Sequence, residues 1–113
     1  MTHKLMLNDA PYQAIASGRK RIEMRLYDEK RALIQVGDEI EFENRESHKT
    51  LSCIVEQLTR YRDFAALYAA FDKTELGYRA NERANPNDMY QYYSPEQIQK
   101  YGVLAIRIKL KQP

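Results

Sequence analysis

The chain has 113 residues, 43% of them hydrophobic and 30% charged, which suits one globular domain spanning residues 1–113. The 18 Lys and Arg residues against 16 Asp and Glu residues give a net charge of +2, which by itself does not identify a nucleic-acid binder. A single cysteine excludes an intrachain disulfide, and no apolar run reaches the roughly 20 residues of a membrane span, so we expect a cytoplasmic protein without membrane contact.

The chain opens with the pattern of a strand followed by a helix. The short apolar run in residues 4–7 predicts a strand. Asn8 or Asp9 is suited to cap a helix that continues through Ser17, and Gly18 is suited to end it. Because the next segment again has a strand pattern, the expected order is strand, helix, strand.

Residues 19–26 form the most informative segment, because they combine a strand pattern with four cations. Hydrophobic and charged side chains alternate there, so one face of the predicted strand is apolar and the other carries Arg21, Glu23 and Arg25. A row of like charges adds little stability to a surface strand. We therefore weigh a solvated sheet edge against a site for a polyanion or a polar base.

The middle of the chain has the pattern of a small barrel. A helical turn is expected in residues 28–34, and the turn at residues 36–38 leads into an alternating strand over residues 39–43. Residues 51–58 have apolar side chains on both faces, as in a strand that is covered on both sides or bent around a barrel. These two strands are expected to pair antiparallel.

The last part of the chain combines two helix signals with a long irregular stretch. Asp63 is suited to cap a helix whose apolar stripe belongs to the core. Residues 74–93 have little periodicity and many Asn, Arg and Tyr residues, which indicates a binding loop or a mobile lid, with disorder as the plain alternative. Ser94 begins a helix that Gly102 ends, and residues 103–110 alternate as a closing strand that we expect beside the first strand.

Several familiar sites have no support in the sequence. His3 and His48 lie far apart, and Cys53 has no neighbouring ligand residue, so we expect no metal site and interpret Cys53 as a core residue. The four glycines have the spacing of turn and cap residues, without a phosphate-binding loop or a dinucleotide fingerprint, so no cofactor is expected. No serine lies in a nucleophile-elbow pattern.

The remaining candidates are the charged segment and a group of tyrosines. Five of the nine tyrosines gather late in the chain: Tyr78, Tyr90, Tyr92, Tyr93 and Tyr101. Their rings suit stacking on a nucleobase, and the alternative is that Tyr101 and one of Tyr92 or Tyr93 close the core against the last helix. Arg25 is suited to hold a phosphate, Glu23 to accept from an exocyclic amine, and Lys20 to supply a charge or a base. The alternative is a ladder of surface salt bridges.

A shared site makes a geometric demand on Lys20. Strict alternation places Lys20 on the face of Ile22 and opposite Glu23. Lys20 can join Glu23 only if it lies in the turn after Gly18, outside the regular pleat.

Three motifs in this order resemble those of the ASCH domain family. They are Gly18-x-Lys20-x-x-Glu23-x-Arg25, then Val36-Gly37-Asp38-x-Ile40-x-Phe42, and last Tyr92-Tyr93-Ser94 with Tyr101-Gly102-Val103-Leu104-Ala105-Ile106. The resemblance spans nearly the whole chain. It implies an α+β fold, a small PUA-like mixed β-barrel flanked by helices, whose cleft is lined by residues 18–25 and binds single-stranded RNA or a modified nucleoside. The expected ligand-binding residues are Lys20, Glu23, Arg25, Tyr92 and Tyr93.

The same resemblance implies a second possibility, a hydrolase. Some small members of the family remove the acyl group from acylated cytidine with a lysine, a threonine three residues later and a separate glutamate. Lys20 matches the lysine, but Glu23 stands at the threonine position, and none of Glu75, Glu82 and Asp88 aligns with the missing glutamate. Other members are linked to cleavage of single-stranded RNA, for which this chain has cations but no paired histidines. Lys20 and Glu23 are candidate catalytic residues only if the protein is an enzyme.

Overall fold

The fold in this computed structural model is a curled β-sheet flanked by helices, which confirms the predicted α+β class. The structure describes residues 1–111, so the last two residues of the expected 1–113 domain lie outside the described residues. The strands are β1 (Thr2–Leu7), β2 (Ile22–Leu26), β3 (Glu39–Asn44), β4 (Thr50–Tyr61) and β5 (Val103–Leu110). The α-helices are α1 (Asp9–Ala16), α2 (Phe64–Ala70) and α3 (Pro95–Tyr101), and 3₁₀ helices span Arg31–Leu33 and Pro86–Gln91.

The sheet is mixed and has the order β1-β3-β4-β5-β2. β1 and β3 are parallel, and the other neighbours are antiparallel, including the predicted β3–β4 pair. β4 has an irregularity between Val55 and Gln57, where one extra residue bends the strand. The sheet curls into a half-barrel, and Nη2 of Arg25 on β2 donates to the carbonyl of Met6 on β1 at 2.8 Å. The two edge strands therefore face each other across a gap.

The predicted position of the closing strand is wrong. β5 lies between β4 and β2, and β1 pairs with β3 instead. The reason is that β5 is apolar on both faces: Leu104 and Ile106 are buried inside the half-barrel, while Val103 and Ala105 are buried under the helices. A strand covered on both faces belongs in the interior of a sheet.

Two hydrophobic clusters lie on opposite faces of the curled sheet. The inner cluster fills the half-barrel and includes Leu5, Phe42 and the buried free thiol Cys53, as expected for a core cysteine. The outer cluster joins Ile22 on β2 to Leu67 of α2, and it also includes residues of α3. β2 therefore has both faces buried, although its sequence alternates between apolar and charged residues.

The predicted helix ends are observed at α2 and α3. Asp63 caps α2, since its Oδ1 accepts from the backbone N–H of Ala66 at 2.8 Å. Ser94 and Gln97 form a reciprocal capping box at the start of α3. In the irregular stretch, the carbonyl of Glu75 accepts from the backbone N–H groups that begin β2. Within residues 1–111, no helix has both the length and the apolar character that crossing a membrane requires.

Candidate functional site

A cleft of about 1260 Å³ lies between α1 and the irregular stretch, with β2 and the loop before it as its floor. Ala10 and Gln13 of α1 line one wall together with Ser17, the residue that directly follows the helix, in agreement with their spacing of three and four residues. The opposite wall is formed by residues 76–79, 88–89 and 91–93. We call this space the cleft. It adjoins the gap between β1 and β2, because Met6 and Arg25 also line it.

Lys20 lies in the loop before β2, where it meets the geometric demand stated above. β2 begins only at Ile22, and the backbone N–H of Lys20 donates to the carbonyl of Ala14 at 3.0 Å. Its side chain is 6% exposed, and Nζ donates to the carbonyl of Leu76 at 3.0 Å. Nζ also lies 3.3 Å from Oε1 of Glu23, so the two side chains share one side of the chain.

The carboxylate of Glu23 joins the two cations. Its Oε2 accepts from Nε of Arg25 at 2.9 Å and lies 2.7 Å from Nη2. Its Oε1 accepts from the backbone N–H of Met24 at 3.2 Å, besides facing Lys20. Burial disfavours the charged carboxylate, but attraction to Arg25 and Lys20 together with these hydrogen bonds outweighs it and lowers the pKa of Glu23. The carboxylate is therefore ionised, with both oxygens engaged.

Arg25 links this network to the mouth of the cleft. Its side chain is 11% exposed. Burial opposes its charge, but the adjacent Glu23 carboxylate outweighs burial and raises the pKa of Arg25, with a smaller contribution from Tyr93. The contacts to Glu23 and Met6 use Nε and Nη2, and a side-chain hydrogen bond with Tyr93 also favours the charged guanidinium. For these three buried residues, the alternative of a surface salt-bridge ladder is wrong.

The candidate tyrosines divide into two groups. Tyr78, Tyr92 and Tyr93 line the cleft, whereas Tyr90 and Tyr101 do not. Tyr93 stacks on Phe64 with ring centroids 6.0 Å apart and an interplanar angle of 12°, so it also belongs to the outer core. Tyr92 is 48% exposed, and its ring centroid lies 6.4 Å from that of Tyr93. Both are placed beside the network of Lys20, Glu23 and Arg25.

Several residues of the cleft were not identified from the sequence. Tyr68 lies on the helix that the sequence predicts to pack in the core and it contacts the outer cluster, yet it also lines the cleft. Arg19, Arg31 and Arg45 line the cleft as well. The Nε atoms of Arg19 and Arg31 are buried and have no hydrogen-bond partner within residues 1–111. Nη1 of Arg31 pairs with Asp28 at 2.7 Å. The basic residues at Arg19 and Arg31 are visible as charge clusters in the sequence, but their meeting with Tyr68 and Arg45 at one cleft depends on the tertiary fold.

The described residues offer no evident metal site. In residues 1–111, no group of three or more His, Cys, Asp or Glu side chains is placed to hold a metal ion.

Comparison with known proteins identifies the family. The sequence profile of the ASCH domain matches residues 5–112, and the chain therefore belongs to the ASCH domain family. No curated protein matches the chain.

Solved structures agree with this assignment. The crystal structure of the hypothetical protein PH0355 is 30% identical with a TM-score of 0.83, covering 98% of this chain and 100% of that one. The solution NMR structure of PF0455 from Pyrococcus furiosus is also 30% identical, with a TM-score of 0.72 over 100% of both chains. A serine-to-alanine mutant of ZmASCH from Zymomonas mobilis is 17% identical, with a TM-score of 0.62 over 99% of this chain and 70% of that one. This last likeness concerns the fold alone, and it agrees with the predicted PUA-like fold.

Proposed function

We propose that this ASCH domain binds single-stranded RNA and takes one nucleoside of the strand into the cleft. Arg25 and Lys20 meet anionic or carbonyl groups of that nucleotide, and Tyr92 or Tyr93 lies against its base. The observation that carries the proposal is the buried network of Lys20, Glu23 and Arg25 at the floor of an open cleft.

The energetic cost of the network favours a binding role over a purely structural one. Transferring each ion from water into a protein costs several kcal/mol, and well-packed hydrophobic residues are often at least as stabilising as a buried ion pair. Charged groups that are buried at a cleft are therefore candidates for ligand recognition. Arg25 supports this interpretation, because its guanidinium lines the cleft and carries five N–H donors suited to carbonyl and phosphate oxygens.

The geometry gives Glu23 a different part from the one expected from sequence. A carboxylate that already accepts from Arg25 and Met24 and faces Lys20 has little capacity left to accept from an exocyclic amine. We therefore assign it a positioning role: Glu23 holds the ammonium of Lys20 and the guanidinium of Arg25 in one orientation. A ligand then meets two cations whose geometry is set before binding.

A nucleic-acid strand fits the cleft better than a free nucleoside. At about 1260 Å³ the cleft exceeds the roughly 300–1,000 Å³ of ordinary small-molecule pockets. Arg19, Arg31 and Arg45 add cations to its lining, and the buried Nε atoms of the first two have no partner within residues 1–111. In a strand, each nucleotide is flanked by phosphates, and guanidinium groups around the site can bind those phosphates. A modified nucleoside alone would leave these cations without a role.

The hydrolase alternative has less support from the geometry. A general base must be able to accept a proton, whereas the pKa of Glu23 is lowered and both of its oxygens are engaged. The amine of Lys20 donates to the carbonyl of Leu76 and lies beside Glu23, so attack on a substrate would require it to leave both partners. Binding without turnover is therefore the function we favour.

Fluorescence anisotropy with a labelled single-stranded RNA tests the proposal. Arg45→Ala should weaken binding, because this exposed residue lines the cleft, and the change keeps the hydrogen bond that its backbone N–H donates to the carbonyl of Leu7. Arg25→Ala should weaken it further. Arg21→Ala is the matched control, since Arg21 is exposed, lies on the same segment and does not line the cleft.

Salt dependence and product analysis complete this experiment. If three phosphates are neutralised, affinity should fall about 20-fold between 50 and 200 mM salt, from a slope of about 0.7 per phosphate. Acylated cytidines and RNA are incubated in parallel and followed by chromatography. Absence of RNA binding, or equal losses in the Arg21 and Arg45 variants, would contradict the proposal, and turnover of an acylated cytidine would favour the hydrolase.

A further inference from the structure

We propose that Asp88, held by Tyr78 and Tyr68, distinguishes ribose from 2′-deoxyribose in the cleft by accepting a hydrogen bond from the 2′-hydroxyl. This inference rests on the proposed function, since it concerns the sugar of the bound strand.

A line of hydroxyl groups leads from α2 to Asp88. The Tyr68 hydroxyl lies 2.9 Å from that of Tyr78, and the Tyr78 hydroxyl lies 2.7 Å from Oδ2 of Asp88 and 3.3 Å from the carbonyl of Asn85. The Tyr78 hydroxyl has one proton to donate. The Asp88 carboxylate is the better acceptor for it, because it is charged and lies closer than the carbonyl of Asn85. Tyr78 therefore donates to Asp88 and accepts from Tyr68. The orientation of the carboxylate is set by a residue that is itself held from α2.

The remaining acceptor capacity of Asp88 faces the ligand. Asp88 is exposed and lines the cleft. Within residues 1–111, the hydrogen bonds to its side chain engage Oδ2 and leave Oδ1 without a partner. Burial, together with Tyr68 and Asp88, raises the pKa of Tyr78, so its hydroxyl stays a donor at neutral pH. A carboxylate accepts but does not donate, so this group can take only an N–H or O–H donor from a ligand.

Asp88 differs from the other carboxylates that line the cleft in what holds it, a tyrosine hydroxyl that is itself held from α2. Asp9 and Glu82 also have one oxygen engaged, but by amide N–H groups. Oδ1 of Asp9 accepts from Asn44 and Gln13, Glu23 is engaged by its cations, and Oε1 of Glu82 accepts from the backbone N–H of Arg79. A carboxylate in a cleft that binds a polyanion opposes binding unless a donor of the ligand compensates for it. Asp88 is exposed, oriented and unsatisfied at one oxygen, which is the arrangement expected for such a donor.

The 2′-hydroxyl is the donor that best fits this position. Asp88 lies on the same wall of the cleft as Tyr92 and Tyr93, the rings proposed to meet the base. We therefore place the sugar of the bound nucleotide beside its carboxylate. A carboxylate is also the group that accepts from the ribose hydroxyl in dinucleotide sites. Every ribonucleotide has this hydroxyl, so the contact requires no base preference, and it is the feature by which a protein tells RNA from DNA.

The test compares three labelled strands of one sequence by fluorescence anisotropy: oligo-uridine, oligo-2′-deoxyuridine and 2′-O-methyl oligo-uridine. The wild-type protein should bind the ribose strand about ten-fold or more tightly than the other two, because a hydrogen bond to a charged group is lost in both. Asp88→Asn keeps the shape and an acceptor for Tyr78 but presents an amide donor to the sugar. Its preference should be lost, because the ribose strand loses its hydrogen bond, while the other two strands no longer meet an uncompensated negative charge and bind at least as tightly as before.

Two further variants separate recognition from a structural role. Tyr78→Phe removes the hydroxyl that holds Asp88 and should reduce the preference in part. Asn87→Ala changes the exposed residue directly before Asp88, which does not line the cleft, and should leave the preference unchanged. Thermal unfolding of each variant checks the fold.

The outcomes are distinguishable. Equal wild-type affinity for the three strands overturns the inference, and so does an Asp88→Asn variant that weakens all of them to the same extent. A preference that follows the base when oligo-cytidine replaces oligo-uridine would assign Asp88 to the base and contradict the sugar contact. If no strand binds at all, the proposed function itself fails, and the inference with it.

Discussion

Replacing Glu23 with glutamine should destabilise the protein strongly. Glu23 is 4% exposed and is the shared carboxylate of two cations, of which the Lys20 side chain is 6% and the Arg25 side chain 11% exposed. The substitution leaves both cations buried without a counter-charge. Breaking a buried ion pair in this way costs about 3–5 kcal/mol, a large part of the roughly 5–15 kcal/mol that stabilises a domain.

Urea and thermal unfolding followed by circular dichroism measure this loss. At about 4 °C per kcal/mol for a domain of this size, the melting temperature should fall by about 12–20 °C. Glu75→Gln is the matched control, because Oε2 of Glu75 lies 3.6 Å from Nη2 of Arg107 and both side chains are about a third exposed. That change should cost about 1 kcal/mol or less. Similar losses in the two variants would refute the reasoning.

The pH dependence gives a second readout of the same substitution. The pKa of Glu23 is lowered in the folded protein, so its charge contributes stability that is present above the ordinary value of 4.5 and is lost as the pH falls through the folded pKa. The difference in unfolding free energy between wild type and Glu23→Gln should therefore shrink as the pH is lowered from 6 towards 3 in urea titrations. A difference that stays constant over this range contradicts the assigned ion pairs.

Three other predictions concern particular residues. A Cβ on Gly77 (φ +108°) would lie 3.1 Å from Cδ of Lys20, whereas a Cβ on Gly37 (φ +93°) meets no atom within 4 Å. Both alanine variants should lose about 1–3 kcal/mol of unfolding free energy because of the positive φ, and Gly77→Ala should lose more. Equal losses would exclude the contact with Lys20. Burial, and secondarily the charge of Glu23, raises the pKa of Cys53 to about 12, so an aromatic disulfide reagent should label it only after unfolding, and rapid labelling of the native protein at pH 8 would disprove its burial. Ser94→Ala removes half of a capping box and should cost about 1 kcal/mol in urea unfolding; an unchanged midpoint would mean that the cap adds no stability.

Local sequence signals predicted most of the elements, because their causes are local. The alternation at Ile22, Met24 and Leu26 identified β2, and the capping patterns at Asp63 and Ser94 identified two helix starts. The strand order was not accessible in this way. The alternation in residues 103–110 predicts one buried face, but Val103 and Ala105 are buried on the other face as well. Because the burial of this second face was not recognised, the predicted neighbour of β5 was wrong.

The site was predicted where neighbours in sequence are also neighbours in space. Lys20, Glu23 and Arg25 lie within six residues, and only the path of the loop before β2 was uncertain. Tyr68 and Arg45 reach the cleft from distant parts of the chain. Their convergence depends on how α2 and the β3–β4 turn are placed against β2, and no local pattern encodes that placement.

The most direct test of the central claim is an NMR titration of ¹⁵N-labelled protein with single-stranded RNA. If the buried network is the floor of the binding cleft, the amides of residues 20–25 and 88–93 and the Nε–H of Arg25 should shift in a saturable way. The amides of Arg60 and Arg62, which do not line the cleft, should stay unchanged. Shifts confined to residues outside the cleft, or no shifts at millimolar RNA, would contradict the account.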